Sequence, residues 1–480
     1  MSRVNVVLYF GATFVPRLAT FLLLLVLTRL LPVDDYGLFT LVVTSGEILD
    51  MAFGGWLRIF ILSSESRVRR PSARRLGRAL VLAGGSCALS LAMTTLLPLV
   101  QPNLSGRFVV AVAAYVLAFA ALRLGLTLLQ ARQQHVLYAG IEMLRGVLSV
   151  GGSILAVYLV QPTFFAASLG VSLTTLALAV VACAAAARLL PWPALPALGY
   201  RAPLLFGLPL VVVALAGHVV GWLDRFILNA ALGPASVGLY AAAYALARQS
   251  VELFSTALNP YIFPMLVRSY AADGPAAAGR IQSGNLLALA VLCGAVAAGV
   301  SLLAEPFTTL VLPEEYRAAA VRVIPWIAFA TLCNGLKNFC FDNVFYIPNK
   351  NWRQFFTIAP AATLSLVGGL LLIPIGGPTA AAMIAAASAT LSLAISAVLS
   401  TRILPFLVPR TAVVGLATSL LLASLTALFI DELLNLTAPL TILIAATLGF
   451  IVVYAGTLTA FGFSLVRLLD RPWEIWPNRG

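Results

Sequence analysis

Residues 163–187, TFFAASLGVSLTTLALAVVACAAAA, carry no charged side chain over a length that matches the hydrocarbon thickness of a bilayer. The run opens after Gln161-Pro162 and closes at Arg188. Alone it would be an anchor, but the rest of the chain reads the same way. Of 480 residues, 61% are hydrophobic and 10% charged, whereas a soluble domain is nearer half apolar and a quarter charged. No globular core could hide that much apolar surface. The composition therefore excludes a soluble enzyme, a disordered chain, a disulfide scaffold and a soluble domain on a single anchor, leaving a polytopic helical membrane protein.

Cutting outward from this stretch at Pro/Gly pairs and charge clusters predicts an all-α chain of about fourteen transmembrane helices. They fall at 8–31, 37–62, 76–100, 107–130, 139–161, 163–187, 203–232, 236–266, 281–311, 318–346, 354–375, 378–402, 411–430 and 438–466. The narrowest separations are Gln161-Pro162 and Gly376-Gly377-Pro378. Residues 8–31 are expected to be the first span rather than a cleavable leader.

The formal charge of +13 would suggest nucleic acid in a soluble chain. Here the basic residues sit between spans, so no nucleic-acid partner is expected. With the N-terminus placed inside, the inner loops collect most of the loop arginines, among them Arg67, Arg69, Arg70, Arg74, Arg75 and Arg78. The outer loops hold only Arg29, Arg107, Arg317 and Arg322. This is a bias of about five to one, as the positive-inside rule requires of a chain in the bacterial cytoplasmic (inner) membrane with both termini cytoplasmic.

The loops are short, which argues against a membrane glycosyltransferase or polymerase, and no G-x-x-x-x-G-K-[ST] is present. The chain is not expected to be an enzyme. The five cysteines lie in apolar segments without ligand spacing, so no metal and no cofactor is expected.

Leu31-Pro32-Val33-Asp34-Asp35-Tyr36-Gly37-Leu38-Phe39 matches Leu232-Gly233-Pro234-Ala235-Ser236-Val237-Gly238-Leu239-Tyr240 at an offset of 201 residues. Each copy follows a long apolar helix, the first and the seventh. Six helices separate the copies, an even number, so they point the same way across the membrane. This is the mark of a parallel repeat. The expected organisation is an N-terminal six-helix bundle over 1–190, a second over 200–402, and two further helices with a tail over 409–480.

An ionisable group at the bilayer centre costs about 2.5–3.5 kcal/mol on insertion scales, so each needs a partner or a polar cavity. The spans contain Arg17, Arg58, Arg123, Arg145, Arg225, Arg248 and Lys337 against Glu47, Asp50, Glu142, Asp224, Glu252 and Asp342. Glu142 and Arg145 lie near a helix end, where a long side chain snorkels, and Arg123 invites the same explanation. Arg248 and Glu252 are four apart and suit a local pair. Asp224-Arg225 is placed to reach headgroups. Lys337 and Asp342, five apart, face different ways on an α-helix.

Arg17, Arg58, Arg248 and Lys337 remain as candidate cavity cations. They suit a phosphate-bearing ligand, because guanidinium recognises phosphate oxygens bidentately. Asp50, Asp224, Arg225 and Glu252 are candidates for coupling or gating. A drug or organic-cation antiporter would be expected to show acids in excess. For the diphosphate reading to hold, Arg17, Arg58 and Arg248 should share a vestibule and not each be neutralised by its own carboxylate.

The stretch Leu30-Leu31-Pro32-Val33-Asp34-Asp35-Tyr36-Gly37-Leu38-Phe39 resembles the start of Wzx-like polysaccharide flippases. So do Asp224-Arg225-Phe226-Ile227-Leu228 through Leu232-Gly233-Pro234 to Leu258-Asn259-Pro260 and Phe263-Pro264, and Leu312-Pro313-Glu314-Glu315-Tyr316. These flippases belong to the multidrug/oligosaccharidyl-lipid/polysaccharide exporter superfamily. The resemblance implies two six-helix bundles, a cationic central cavity, and flipping of undecaprenyl-diphosphate-linked oligosaccharide for exopolysaccharide or lipopolysaccharide assembly. It implies as partners the lipid-linked oligosaccharide, the membrane, and a polysaccharide polymerase with its export machinery. Related lipid II flippases, an alternative identity, hold the diphosphate with arginines of helices 1, 2 and 8. Arg17, Arg58 and Arg248 occupy those helices here.

Overall fold

A chain in hydrocarbon has no water to satisfy its backbone, which leaves the helix as the way to span for a sequence of long apolar runs. In the computed structural model all regular structure among the described residues is helical. Those residues are 3–65, 73–101, 103–191, 194, 199, 201–347, 352–434, 438–464, 467 and 474–475. Arg67, Arg69 and Arg70 lie outside them.

Two compact units, Met1–Gly238 and Leu239–Gly480, divide the chain. The first contains α1 (Arg3–Leu30), α2 (Val33–Asp50), a π-helix (Met51–Gly55), α3 (Trp56–Glu65), α4 (Ala73–Thr94) and α5 (Leu97–Val100). It continues with α6 (Gly106–Ala131), α7 (His135–Leu159), α8 (Phe164–Ala187), α9 (Arg201–Leu232) and the first turn of α10 (Pro234–Ala257). The second holds the rest of α10, α11 (Asn259–Leu302), α12 (Ala304–Val311), α13 (Glu314–Leu336) and a second π-helix (Lys337–Phe341). It ends with α14 (Asn343–Tyr346), α15 (Arg353–Thr401), α16 (Arg410–Leu434) and α17 (Pro439–Ala460).

The narrow separations are real breaks. Between α7 and α8, Thr163 caps the new helix by accepting from the Ala166 N–H at 3.4 Å, and Asp35 from α2 accepts from the Phe164 N–H at 2.7 Å. α15 is folded at Gly377, which takes φ +58° ahead of Pro378, and α11 at Gly274, φ +79°, ahead of Pro275. Ten helical stretches among the described residues are long and apolar enough to cross a membrane. Those containing the two glycine breaks, at 69 and 49 residues, have length for two crossings each. The run 236–266, expected as one helix, is interrupted at Leu258. Pro260 lacks the N–H that would continue the ladder.

In unit 1, α3, α4, α6 and α8 enclose a core of Trp56, Leu57, Ile61, Leu122, Leu126 and Leu178. α1 and α7 run side by side, with Pro16 against Gly146. In unit 2, α16 and α17 pack together and close on α11 through Phe450, Tyr454 and Leu458 against Leu287 and Val291. The Tyr454 hydroxyl donates to the Val291 carbonyl at 2.9 Å, a carbonyl its own helix already uses. Tyr454→Phe keeps the ring and loses one hydrogen bond. Thermal unfolding in detergent should show a loss of about 1 kcal/mol; a drop several times larger would mean that the hydroxyl anchors α17 to α11.

The two matching stretches meet in the structure. Gly37 opens toward the Pro234 carbonyl and Gly238 toward the Val33 carbonyl, and a Cβ on either would overlap that oxygen. Positions 33 and 234, like 37 and 238, correspond across the 201-residue offset. The two copies therefore grip each other reciprocally. All four residues belong to unit 1.

Candidate functional site

The charged residues of unit 1 converge where the helix geometry departs from α. Glu47 and Asp50, three apart at the end of α2, share a face. Arg58 is eight residues past Asp50, and on a regular helix the two would stand about 80° apart. The π-helix Met51–Gly55 absorbs one residue, which brings them to within about 20° of one line. Arg58 Nη1 then donates to Asp50 Oδ1 at 2.9 Å. The bridge runs over Gly54, whose missing Cβ would lie 3.1 Å from both of these atoms.

α6 supplies the opposite wall. Tyr115, Phe119 and Arg123 recur every four residues along one face. Tyr115 stacks on Phe119 with centroids 4.0 Å apart and planes at 13°. The Arg123 guanidinium carbon lies 5.3 Å from the Phe119 ring centre, within cation–π range. Arg123 Nη1 donates to Asp50 Oδ2 and Nη2 to Glu47 Oε1 at 2.6 Å. Glu47 also accepts from the Tyr115 hydroxyl at 2.8 Å. From α7, Arg145 pairs with Glu142 at 2.8 Å and sits 5.9 Å from the Phe119 centre.

One carboxylate thus holds two guanidinium groups from different helices. The Asp50 side chain is 1% exposed, while Arg58 and Arg123 are 18% and 24% exposed. The acid is sunk and both cations are partly exposed.

Arg123 does not snorkel, because Asp50 and Glu47 hold it. Arg58 likewise has a carboxylate partner and is not an uncompensated cation. Arg17, half-buried on α1, follows Pro16 and so lies at the level of Gly146 and Arg145. Asp224 and Arg225 are buried, at 9% and 7% exposure, rather than reaching headgroups. Nearby on α9 the Phe226 carbonyl accepts from Gln101 at 2.6 Å, and Asn229 donates to the same Gln101.

In unit 2, Arg248 and Glu252 form the expected local pair, Nε to Oε2 at 2.7 Å, with Arg248 5.8 Å over the Tyr244 ring. Lys337 and Asp342 do not face different ways. The second π-helix makes the i+5 to i bond, Asp342 N to Lys337 O at 2.8 Å, and a π-turn puts residues five apart on one face. Lys337 Nζ meets Asp342 Oδ2 at 2.6 Å with both residues buried. The Ser396 hydroxyl of α15 donates to the other oxygen.

Sequence reasoning passed over Glu47, Tyr115, Phe119 and Arg123 as a group. Two signals were available: an acid pair at i and i+3 in an apolar span, and an aromatic-aromatic-arginine stripe at four-residue spacing.

The fold defines a helical membrane protein of two compact units. Its architecture matches the lipid II flippase MurJ in an inward closed conformation, with a TM-score of 0.75, 11% identity, and coverage of 97% of this chain and 100% of that one. A multidrug resistance MATE family transporter of the MOP superfamily, inward-facing, matches with a TM-score of 0.57, 12% identity, and 83% and 97% coverage. A variant of the Vibrio cholerae MATE transporter VcmN matches with a TM-score of 0.54, 15% identity, and 83% and 95% coverage. No curated protein matches the chain in sequence. Residues 26–321 match the polysaccharide biosynthesis protein family, and the chain belongs to it.

Proposed function

We propose that the chain flips undecaprenyl-diphosphate-linked oligosaccharide from the inner to the outer face of the bacterial cytoplasmic membrane, for exopolysaccharide or lipopolysaccharide assembly. Membership of the polysaccharide biosynthesis family carries this reading. Likeness in fold to a lipid II flippase supports it. The reading keeps both termini cytoplasmic and supplies a polysaccharide polymerase and export machinery downstream.

Arg58 with Asp50 and Arg248 with Glu252 depart from the expectation of cations without a carboxylate of their own, which changes how each would act. These arginines do not wait uncompensated for a phosphate. The diphosphate is received by guanidinium groups already held in place, Arg58 above all, with Arg17 as a further contact on unit 1 and Arg248 a separate candidate on unit 2. Guanidinium carries five N–H donors, more than one carboxylate can occupy. Lys337, paired with an Asp342 that also accepts from Ser396, serves the packing of unit 2 in this reading.

A deletion strain is the decisive experiment. It should lose surface polysaccharide and accumulate lipid-linked sugar on the cytoplasmic face. Complementation with Arg17→Ala or Arg248→Ala should leave surface polymer reduced at least ten-fold at normal protein levels. Normal polymer from the deletion strain would overturn the proposal. A loss of drug resistance in its place would point to the antiporter reading.

A further inference from the structure

We propose that Asp50 is a positioning residue that locks Arg58 and Arg123 into one two-pronged receptor for a diphosphate, and that Glu47 is the resident anion the diphosphate displaces. The inference rests on the flippase reading and adds to it a residue, Arg123, and a division of labour between two acids.

The two carboxylates look alike in sequence but are placed differently. Asp50 spends one oxygen on each guanidinium, Oδ1 on Arg58 and Oδ2 on Arg123. It thereby fixes the separation of two side chains that arrive from different helices. It is buried to 1%, and withdrawing it would leave two cations repelling each other in a low-dielectric setting. Of the two guanidinium groups Glu47 pairs with Arg123, at Nη2, and it is 20% exposed. An incoming phosphate oxygen can take its place at that nitrogen without disturbing the Asp50 bridge. Tyr115, which donates to the same Glu47 oxygen at 2.8 Å, then has a hydroxyl to offer the phosphate or the displaced acid.

The backbone shows the same arrangement. A π-turn is a costly element that persists where something depends on it, and this one aligns Asp50 with Arg58. Gly54 lies under the bridge. A methyl there would sit 3.1 Å from both Arg58 Nη1 and Asp50 Oδ1, tighter than a methyl ordinarily packs, so both side chains would have to give by a few tenths of an ångström and the bridge would be crowded. Phe119 backs Arg123 and keeps its guanidinium from turning away. Two forked donors held at fixed spacing beside a replaceable anion form a site for a ligand with two adjacent phosphates, in contrast to a neutral sugar or a lone carboxylate.

The two acids should therefore respond in opposite directions, which a merely structural role for both would not produce. Full-length protein in detergent micelles is titrated with undecaprenyl diphosphate, and separately with inorganic pyrophosphate to isolate the headgroup. Asp50→Asn should weaken binding of both probes at least ten-fold, with Asp50→Glu recovering part of the loss. Glu47→Gln should bind as well as the wild type or several-fold more tightly. Gly54→Ala, which removes no charge but crowds the bridge, should weaken binding several-fold, and it keeps the test open if Asp50→Asn fails to fold. Equal loss in Asp50→Asn and Glu47→Gln, or wild-type binding in both Asp50→Asn and Gly54→Ala, overturns the positioning role alone. A wild-type protein that binds neither probe overturns this inference, while lipid-linked sugar accumulating in the deletion strain would leave the flippase reading standing.

Discussion

Gly37→Val is expected to yield no folded, monodisperse protein, and Gly238→Val the same. Each glycine faces a backbone carbonyl, Gly37 that of Pro234 and Gly238 that of Val33, with no room for a Cβ. A flexible side chain could swing aside, but a carbonyl moves only with its helix. Overpacking in ordinary cores costs about 1–3 kcal/mol, and here the whole start of α2 or α10 has to shift. The expected penalty is at the upper end of that range or beyond for alanine, and larger for valine. The two sites act on one interface, so their costs should not add. Once Gly37→Ala has pushed the helices apart, Gly238→Ala should cost little more. Size-exclusion chromatography and thermal unfolding of both single variants and the double variant decide the matter. Additive, small shifts would show that the two turns separate readily.

The glycine pair also shows what was readable beforehand. The sequence match around Gly37 and Gly238 is what singles out the two turns, each following a long apolar helix. It does not say that the copies touch, which depends on the path of six intervening helices. Ten membrane-length stretches among the described residues were legible from apolar length, and the breaks at Gly274 and Gly377 from the Gly-Pro pairs that mark them.

The ion pairs were legible only where the helix is regular. Arg248 and Glu252 follow the i,i+4 rule and meet as expected. Asp50 with Arg58, and Lys337 with Asp342, defeat the 100°-per-residue wheel because a π-turn lies between or across them. Arg123 illustrates a different limit. Its partners are more than seventy residues away, and no local pattern on α6 shows that α2 presents two acids to it. Depth along a helix suggested snorkelling, whereas the facing helix determined the outcome.

The second large effect follows from the Lys337–Asp342 pair. Asp342→Ala should destabilise the protein by about 3–5 kcal/mol, because it strands an ammonium group buried to 5% exposure. Asn338, whose side-chain oxygen is 3.5 Å from Lys337 Nζ, offers a neutral acceptor that cannot replace a carboxylate at 2.6 Å. Lys337→Met with Asp342→Leu removes both charges and should recover most of the loss, since apolar replacement of a buried pair is often neutral. Ser396 would then return its hydroxyl to the carbonyl one turn back, as serines within helices do. The π-turn is held separately: Gln282 and Asn285 of α11 donate to the Phe339 carbonyl, and Gln282 also to that of Cys340. The double variant should therefore keep its fold. Thermal unfolding of the two single variants and the double variant gives the coupling energy. If the double variant is as unstable as Asp342→Ala, the pair itself maintains the π-turn, and the bonds from α11 are not enough to hold it.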